Sequence, residues 1–264
     1  MIPTLRTGLA LGVKLALAYR FEALVQLLSA SVVALLSWSL WTAVFRDRAT
    51  VAGQDGPGMI SYVLVAWLIT TFYGSRVDQE LAARFREGLI AVDLLRPWDL
   101  HLHTYARDLG RAGVALLLST IPLLLLAGSL LGLKPPEQLW TWPVFALSLL
   151  LSHAIGFGFA FLVGLASFRL RNAAGLTHLK ATLIGVFSGS LIPLDLFPEP
   201  IRSLVLLLPF QGMSHTPAIL FTERLPFVQA MGPLLVQLLW ALALMLLGRF
   251  LLRGALRALV VQGG

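Results

Sequence analysis

Uncharged runs long enough to cross a bilayer recur along the chain, and short charged segments separate them. Ala23 to Phe45, Gly56 to Ser75, Ala112 to Leu133, Gln138 to Phe168 and Leu225 to Gly248 contain no Asp, Glu, Lys or Arg. A helix needs about 20 apolar residues to cross the hydrocarbon core, so each run is a predicted span. Asn172 to Leu194 is a sixth, interrupted only by Lys180, whose long stem allows it to snorkel from a helix end. The predicted fold class is therefore an all-α membrane protein of one domain, residues 1–264, with six transmembrane helices at 21–45, 58–77, 108–132, 142–168, 173–193 and 228–252. Residues 1–20 read as an interfacial helix with weak amphipathic patterning.

A further uncharged run, Ser203 to Thr222, would make seven spans and place the termini on opposite sides. The basic residues argue for six. With six spans, fifteen of the 20 Lys and Arg fall on one side: Arg6, Lys14 and Arg20; Arg76, Arg84, Arg86, Arg96, Arg107 and Arg111; Arg169, Arg171 and Lys180; Arg249, Arg253 and Arg257. Such an excess marks the cytoplasmic face, so both termini are expected inside. Pro209, Gly212 and Pro217 interrupt the extra run, which suits a segment at 194–226 that is re-entrant or lies on the outer surface.

Composition fits this reading, with 58% apolar and 12% charged residues. The net charge of +7 sits beside the spans rather than in one patch, so membrane lipids, and not nucleic acid, are the partners it implies. The absence of cysteine excludes disulfides and thiolate metal sites.

The segment from Arg76 to Asp99, between the second and third spans, is the most charged part of the chain. Leu81, Phe85, Leu89 and Val92 recur at helical spacing and predict one apolar face, with Glu80, Arg84 and Glu87 directed away from it and Pro97 limiting the helix. Such a helix is either a solvated connector on the membrane surface or a docking element. What the chain lacks favours the second. Lys14, Lys134 and Lys180 are followed by Leu, Pro and Ala, so no phosphate-binding loop ends in Lys-Ser/Thr. The five uncharged spans offer no ion-coupling carboxylate, and His153 has no evident acidic partner along the sequence. Any motor for active transport would then be another polypeptide.

Gly88-Leu-Ile-Ala-Val-Asp-Leu-Leu-Arg-Pro97, followed much later by Ser188-Gly-Ser-Leu-Ile-Pro-Leu-Asp-Leu-Phe-Pro198, Leu208-Pro-Phe210 and Pro217, resembles permeases of the type-2 ATP-binding-cassette (ABC) export family. The similarity is to a branch of six-span proteins of about this length with a Leu-Leu-Arg-Pro loop. It extends over almost the whole chain in topology and over these two regions in motif. The resemblance implies a permease that is not itself an enzyme, in the bacterial inner membrane, working as a dimer with a second identical or related copy. It also implies separate ABC ATPase subunits, alternating access, and a coupling helix seated in the ATPase. The chain would bind no cofactor of its own, with ATP and Mg held by the partner. Carried onto this sequence, the coupling residues are Glu80, Arg84, Phe85, Arg86, Glu87, Gly88, Leu94, Leu95, Arg96 and Pro97. Phe85 and Leu89 would either rest on the membrane or anchor in the ATPase.

Gly156, Ala160 and Gly164 in the fourth span, and Gly185 and Gly189 in the fifth, are small residues at steps of four that allow close helix approach, within one subunit or across a dimer. By the resemblance, Gly185 and Gly189 are the dimer candidates. Trp140 and Trp142 read as interfacial anchors, whereas Trp38, Trp67, Phe72 and Phe187 either pack helices or line an apolar path. Two other classes remain open. An intramembrane lipid-acting enzyme would need a convergent polar constellation, for which His101-Leu-His103 beside Asp99 is the nearest metal-site candidate. A non-transporting membrane scaffold would need none.

Overall fold

The computed structural model describes residues 2–51, 53–95, 98–167 and 173–262. Its backbone is helical almost throughout, as burial in lipid requires of a chain that must satisfy its own N–H and C=O groups. Among the described residues, five helical stretches are long and apolar enough to cross a membrane: Leu24–Val44, Gly56–Arg86, Leu100–Leu130, Thr141–Ser167 and Phe227–Ala255. The protein is thus a multi-pass, all-α membrane protein.

The chain begins with α1 (Ile2–Ala18), turns at Tyr19, and continues as α2 (Arg20–Val44). Helix α1 does more than lie on an interface. It packs along α7 (Leu100–Ala115) through glycines on both helices. A Cβ on Gly12 would stand 2.0 Å from the Arg107 carbonyl oxygen, and one on Gly110 2.5 Å from that of Leu9. Helix α2 is peripheral, with Leu28, Val32, Leu36 and Leu40 turned outward.

A two-residue hairpin, β1 (Thr50–Val51) against β2 (Gln54–Asp55), leads into α3 (Gly56–Leu68). The Asp55 side chain caps α3 by accepting from the Gly58 N–H at 3.3 Å, and Pro57 occupies the first turn where no N–H is needed. After α3 come the short α4 (Thr70–Tyr73), α5 (Val77–Arg86) and α6 (Leu89–Leu94). Helix α7 then starts at a second Asp cap, Asp99 accepting from the Leu102 N–H at 3.0 Å. It begins eight residues earlier than the predicted span at 108 and passes through a π-turn, Leu116–Thr120, into α8 (Ile121–Leu130). Pro122 lacks the N–H that would continue the regular ladder, which accounts for the wider turn just before it.

Helix α9 (Thr141–Ser167) is the axis of the molecule, apolar on all sides and two-thirds buried over its most apolar window. Its glycines let three neighbours approach. Gly156 meets the Tyr73 carbonyl, Gly158 meets Leu244 of α13 (Phe227–Gln262), and Gly164 meets Asp78 and Leu81 of α5. The stripe of Gly156, Ala160 and Gly164 therefore serves contacts inside the chain.

Helix α10 (Ala173–Phe187) has 15 residues, about 22 Å at 1.5 Å per residue and short of a hydrocarbon core of about 30 Å. The predicted span at 173–193 is thus a helix only to Phe187. The chain unwinds after it, and groups remote in sequence take its backbone carbonyls. Tyr62 donates to the Gly189 carbonyl at 3.3 Å, and the His215 N–H to that of Ser188 at 2.9 Å. Gly189, with φ +85°, lies off the helix with its α-carbon against the Tyr62 hydroxyl, so it is not on a helical face that a second copy could meet.

Beyond it, α11 (Glu199–Leu207) turns Ile201, Leu204 and Leu207 outward, while α12 (His215–Phe221) is buried along its whole length against α3, α9 and α13. The Met213 carbonyl accepts from Ser152, near the middle of α9, at 2.6 Å. The Ser214 hydroxyl lies 3.1 Å from the Ala66 carbonyl and 2.8 Å from the Tyr73 hydroxyl. Residues 194–226 thus form an exposed helix, α11, and a buried segment that packs back against the middle of α9.

Candidate functional site

The charged segment after α4 is an elbow rather than one amphipathic helix. Gly88 adopts φ +71°, a left-handed conformation that costs other L-residues about 1–2 kcal/mol, and the chain changes direction there. The single apolar face expected through Leu81, Phe85, Leu89 and Val92 is consequently split. Leu81 is buried and Phe85 half-buried, both packed with Val77, Phe161 and Leu165. Leu89, Val92 and Leu95 are exposed instead, by 41%, 49% and 86%, and Ile90 takes the inward position. Of the two residues with an open role, Phe85 belongs to the core and only Leu89 is presented outward.

The charges are not all directed away from the body either. Glu80 is clasped by Arg107 and Arg111, which helical i, i+4 spacing places on one face of α7. Arg84 makes a two-pronged contact with Asp93 of α6, Nε to Oδ2 at 2.7 Å and Nη2 to Oδ1 at 2.5 Å, and so braces the elbow across Gly88. Asp78, 1% exposed, receives Lys180 of α10 at 2.9 Å and the Thr177 hydroxyl at 2.8 Å, so Lys180 is paired rather than snorkelling. Asp99 holds Arg249 of α13 at 2.5 Å. Among the expected coupling residues, Glu80 and Arg84 are thereby engaged within the chain, Arg86, Glu87 and Gly88 are exposed, and Leu94 ends α6. Arg96 and Pro97 lie outside the described residues.

Beside the elbow a cavity of about 280 Å³ opens between the α1–α2 turn, α4 and α7. Its walls include Tyr19, Gln26, Phe72, Arg76, Glu80 and Arg111, with Asp108 and His153 among the buried groups. His153 Nε2 is 3.7 Å from Asp108 Oδ2, which supplies the acidic neighbour that the sequence did not reveal. Of the residues expected to pack helices or line an apolar path, Phe72 lines the cavity, Trp38 and Trp67 pack against the same apolar cluster as Phe72 without lining the cavity, and Phe187 leans on Phe210 at a ring separation of 6.1 Å. Gly185, half-buried, faces the Leu191 side chain.

His101 and His103 sit on a helix rather than a strand and diverge. His101 packs edge-on to Phe157 and Phe161, and His103 stacks on Trp98 at 4.3 Å. No group of three His, Cys, Asp or Glu among the described residues is placed to hold a metal ion.

On the opposite side of the fold from the elbow, Asp195 accepts from Arg202 at 3.0 Å and from Arg224 at 2.7 Å, and the Arg224 guanidinium lies 4.4 Å above the Tyr62 ring. The Tyr62 hydroxyl is 2.9 Å from His215 Nδ1. Burial lowers the pKa of that imidazole below the ordinary histidine value, against the opposing pull of Asp195.

Most of the ion pairs were missed because they join residues 27 to 150 positions apart, and periodicity is a local signal; Arg84 and Asp93, only nine apart, meet through the turn at Gly88. The one visible sign was Lys180 itself, a lone cation in an apolar run. A family model described as ABC-2 family transporter protein matches residues 21–263. No curated protein and no solved structure matches the chain.

Proposed function

The chain belongs to the ABC-2 transporter family, and on that premise we propose that it is the membrane-spanning permease subunit of an ATP-driven exporter, paired with a second permease and worked from the cytoplasm by separate ATPase subunits. The observation that carries this reading is the construction of the elbow. Its inner surface is tied by carboxylate pairs to α7, α10 and α13, while α6 offers Leu89, Val92 and Leu95 to a partner. Of these ties Asp78–Lys180 is buried, and breaking such a pair by removing one partner costs about 3–5 kcal/mol, while the more exposed ties add less, so a push on α6 moves the elbow together with the helices it is tied to. Nucleotide-driven closure of the ATPases would in this way reach three helices as rigid-body tilting, which is alternating access. ATP and Mg belong to the partner subunits, both termini and the elbow face the cytoplasm of the bacterial inner membrane, and the direction is export.

Copurification with candidate ATPase subunits from the same genome tests the reading. Leu89→Asp and Leu95→Asp place a charge on exposed positions that touch no core residue, so the permease folds and ATPase recovery falls. Glu87→Arg gives a smaller loss. Full recovery of the ATPase with all three variants would remove the docking role of α6.

A further inference from the structure

The Asp108–His153 pair presents an unsolved hydrogen-bond problem that identifies a ligand. His153 Nδ1 lies 3.1 Å from the Phe72 carbonyl oxygen. A carbonyl can only accept, so Nδ1 carries the proton, and in a neutral imidazole Nε2 is then a bare acceptor. Nε2 faces Asp108 Oδ2, and both atoms are buried without a hydrogen-bond partner. Two acceptors thus look at each other across 3.7 Å inside the membrane-spanning body. A buried unsatisfied acceptor costs about 1–3 kcal/mol, and a carboxylate more, so the arrangement calls for one added hydrogen between them. We propose that Asp108 and His153 form a proton-binding site that takes one proton from water in the adjoining cavity and holds it between Nε2 and Oδ2.

The proton's path is short, because both residues line the cavity. On binding, the pair changes from one net negative charge to none. The result is either an imidazolium against a carboxylate or a neutral imidazole accepting from a carboxylic acid, and the two forms share the same proton. Among the described residues, no other donor is bonded to His153 Nε2 or Asp108 Oδ2. On α7, Arg107 and Arg111 are committed to Glu80 of α5; α4 contributes the Phe72 ring and carbonyl; α9 contributes His153 alone. The Tyr105 ring stands 5.7 Å from the imidazole, and Ser75 bonds to the Asp108 carboxyl without relieving Oδ2. Arg76 and Tyr19 also line the cavity. Since Asp108 is on α7 and His153 on α9, the bound proton also fastens those helices to each other. Movement of one against the other, for whatever purpose, changes the affinity for it.

The test is nitrogen-15 NMR of the full chain, histidine-labelled and reconstituted in lipid nanodiscs, with the His153 signals assigned by their loss in His153→Gln. The expected result near neutral pH is either both ring nitrogens protonated, or Nε2 bare together with a carboxylic-acid infrared band that disappears in Asp108→Asn. In Asp108→Asn the affinity of His153 for its second proton should fall tenfold or more, since an opposite charge at this range shifts such equilibria by about 1–3 pKa units. Nε2 protonated with Nδ1 bare would overturn the proposal, as would a neutral imidazole beside an ionised carboxylate over the whole pH range in which the protein stays folded. These two outcomes are read from the unsubstituted chain, with His153→Gln used only to assign its signals. An unchanged His153 titration in a folded Asp108→Asn protein would also overturn it.

Discussion

Replacing Gly12 by alanine sets two physical effects against each other. In an exposed helix interior, Gly→Ala stabilises by about 1 kcal/mol. At Gly12 the new methyl carbon would lie 2.0 Å from the Arg107 carbonyl oxygen and 2.9 Å from its carbon, where ordinary contact begins at 3.4 Å. The obstacle is backbone, so no rotamer change relieves it, and α1 must withdraw from α7 by about 1 Å. The same seam includes Gly8, whose Cβ would meet Ala106 Cβ at 2.8 Å, and Gly110 against Leu9, so the withdrawal loosens contacts along the helix pair. A gap of 0.5–1 Å forfeits about a quarter to a half of each dispersion well, and overpacking of this kind costs about 1–3 kcal/mol. Overpacking outweighs propensity, leaving Gly12→Ala destabilised by about 1–2 kcal/mol. Gly113, on the same α7, has nothing within 4 Å of a Cβ, so Gly113→Ala keeps only the propensity gain and is stabilised. Unfolding of the two variants and the parent in mixed micelles by sodium dodecyl sulfate measures both. If Gly12→Ala proves as stable as the parent or more so, α1 does not pack on α7, and the description of this helix as part of the body is wrong.

Two further outcomes follow from the buried charges. Lys180→Met leaves Asp78 buried and unpaired and should lower stability by about 3–5 kcal/mol, whereas the double variant Asp78→Asn/Lys180→Met recovers most of the loss. A double-mutant cycle with no coupling energy would refute the pair. Burial holds the pKa of His215 below the ordinary histidine value of about 6.5, so below that pH the folded state binds fewer protons than the unfolded one. Stability should therefore fall as pH drops below about 6.5, and His215→Gln should flatten that part of the stability–pH curve.

The sequence by itself determined the class of this protein: apolar runs of span length, the sided distribution of arginine, and two short motifs resembling ABC-2 permeases. Those features are legible because lipid burial acts on each helix separately, residue by residue, before any helix meets another. The sequence also showed that residues 194–226 are not a plain span, since proline and glycine break a helix wherever it lies. Only the tertiary structure decided which charges are free and which are used. Glu80 and Arg84 looked like an exposed face, but α7 supplied Arg107 and Arg111 to the one and the turn at Gly88 brought Asp93 to the other. Lys180 looked like a snorkelling side chain until α5 placed Asp78 beside it, and His153 looked solitary until α7 delivered Asp108. Gly189 shared the spacing of a helix-packing glycine, yet Tyr62 and His215, both remote in sequence, took the hydrogen bonds that the helix would have needed to continue to it. Helical periodicity records which residues share a face, whereas the identity of what meets that face depends on how separate spans assemble, and that information is not local.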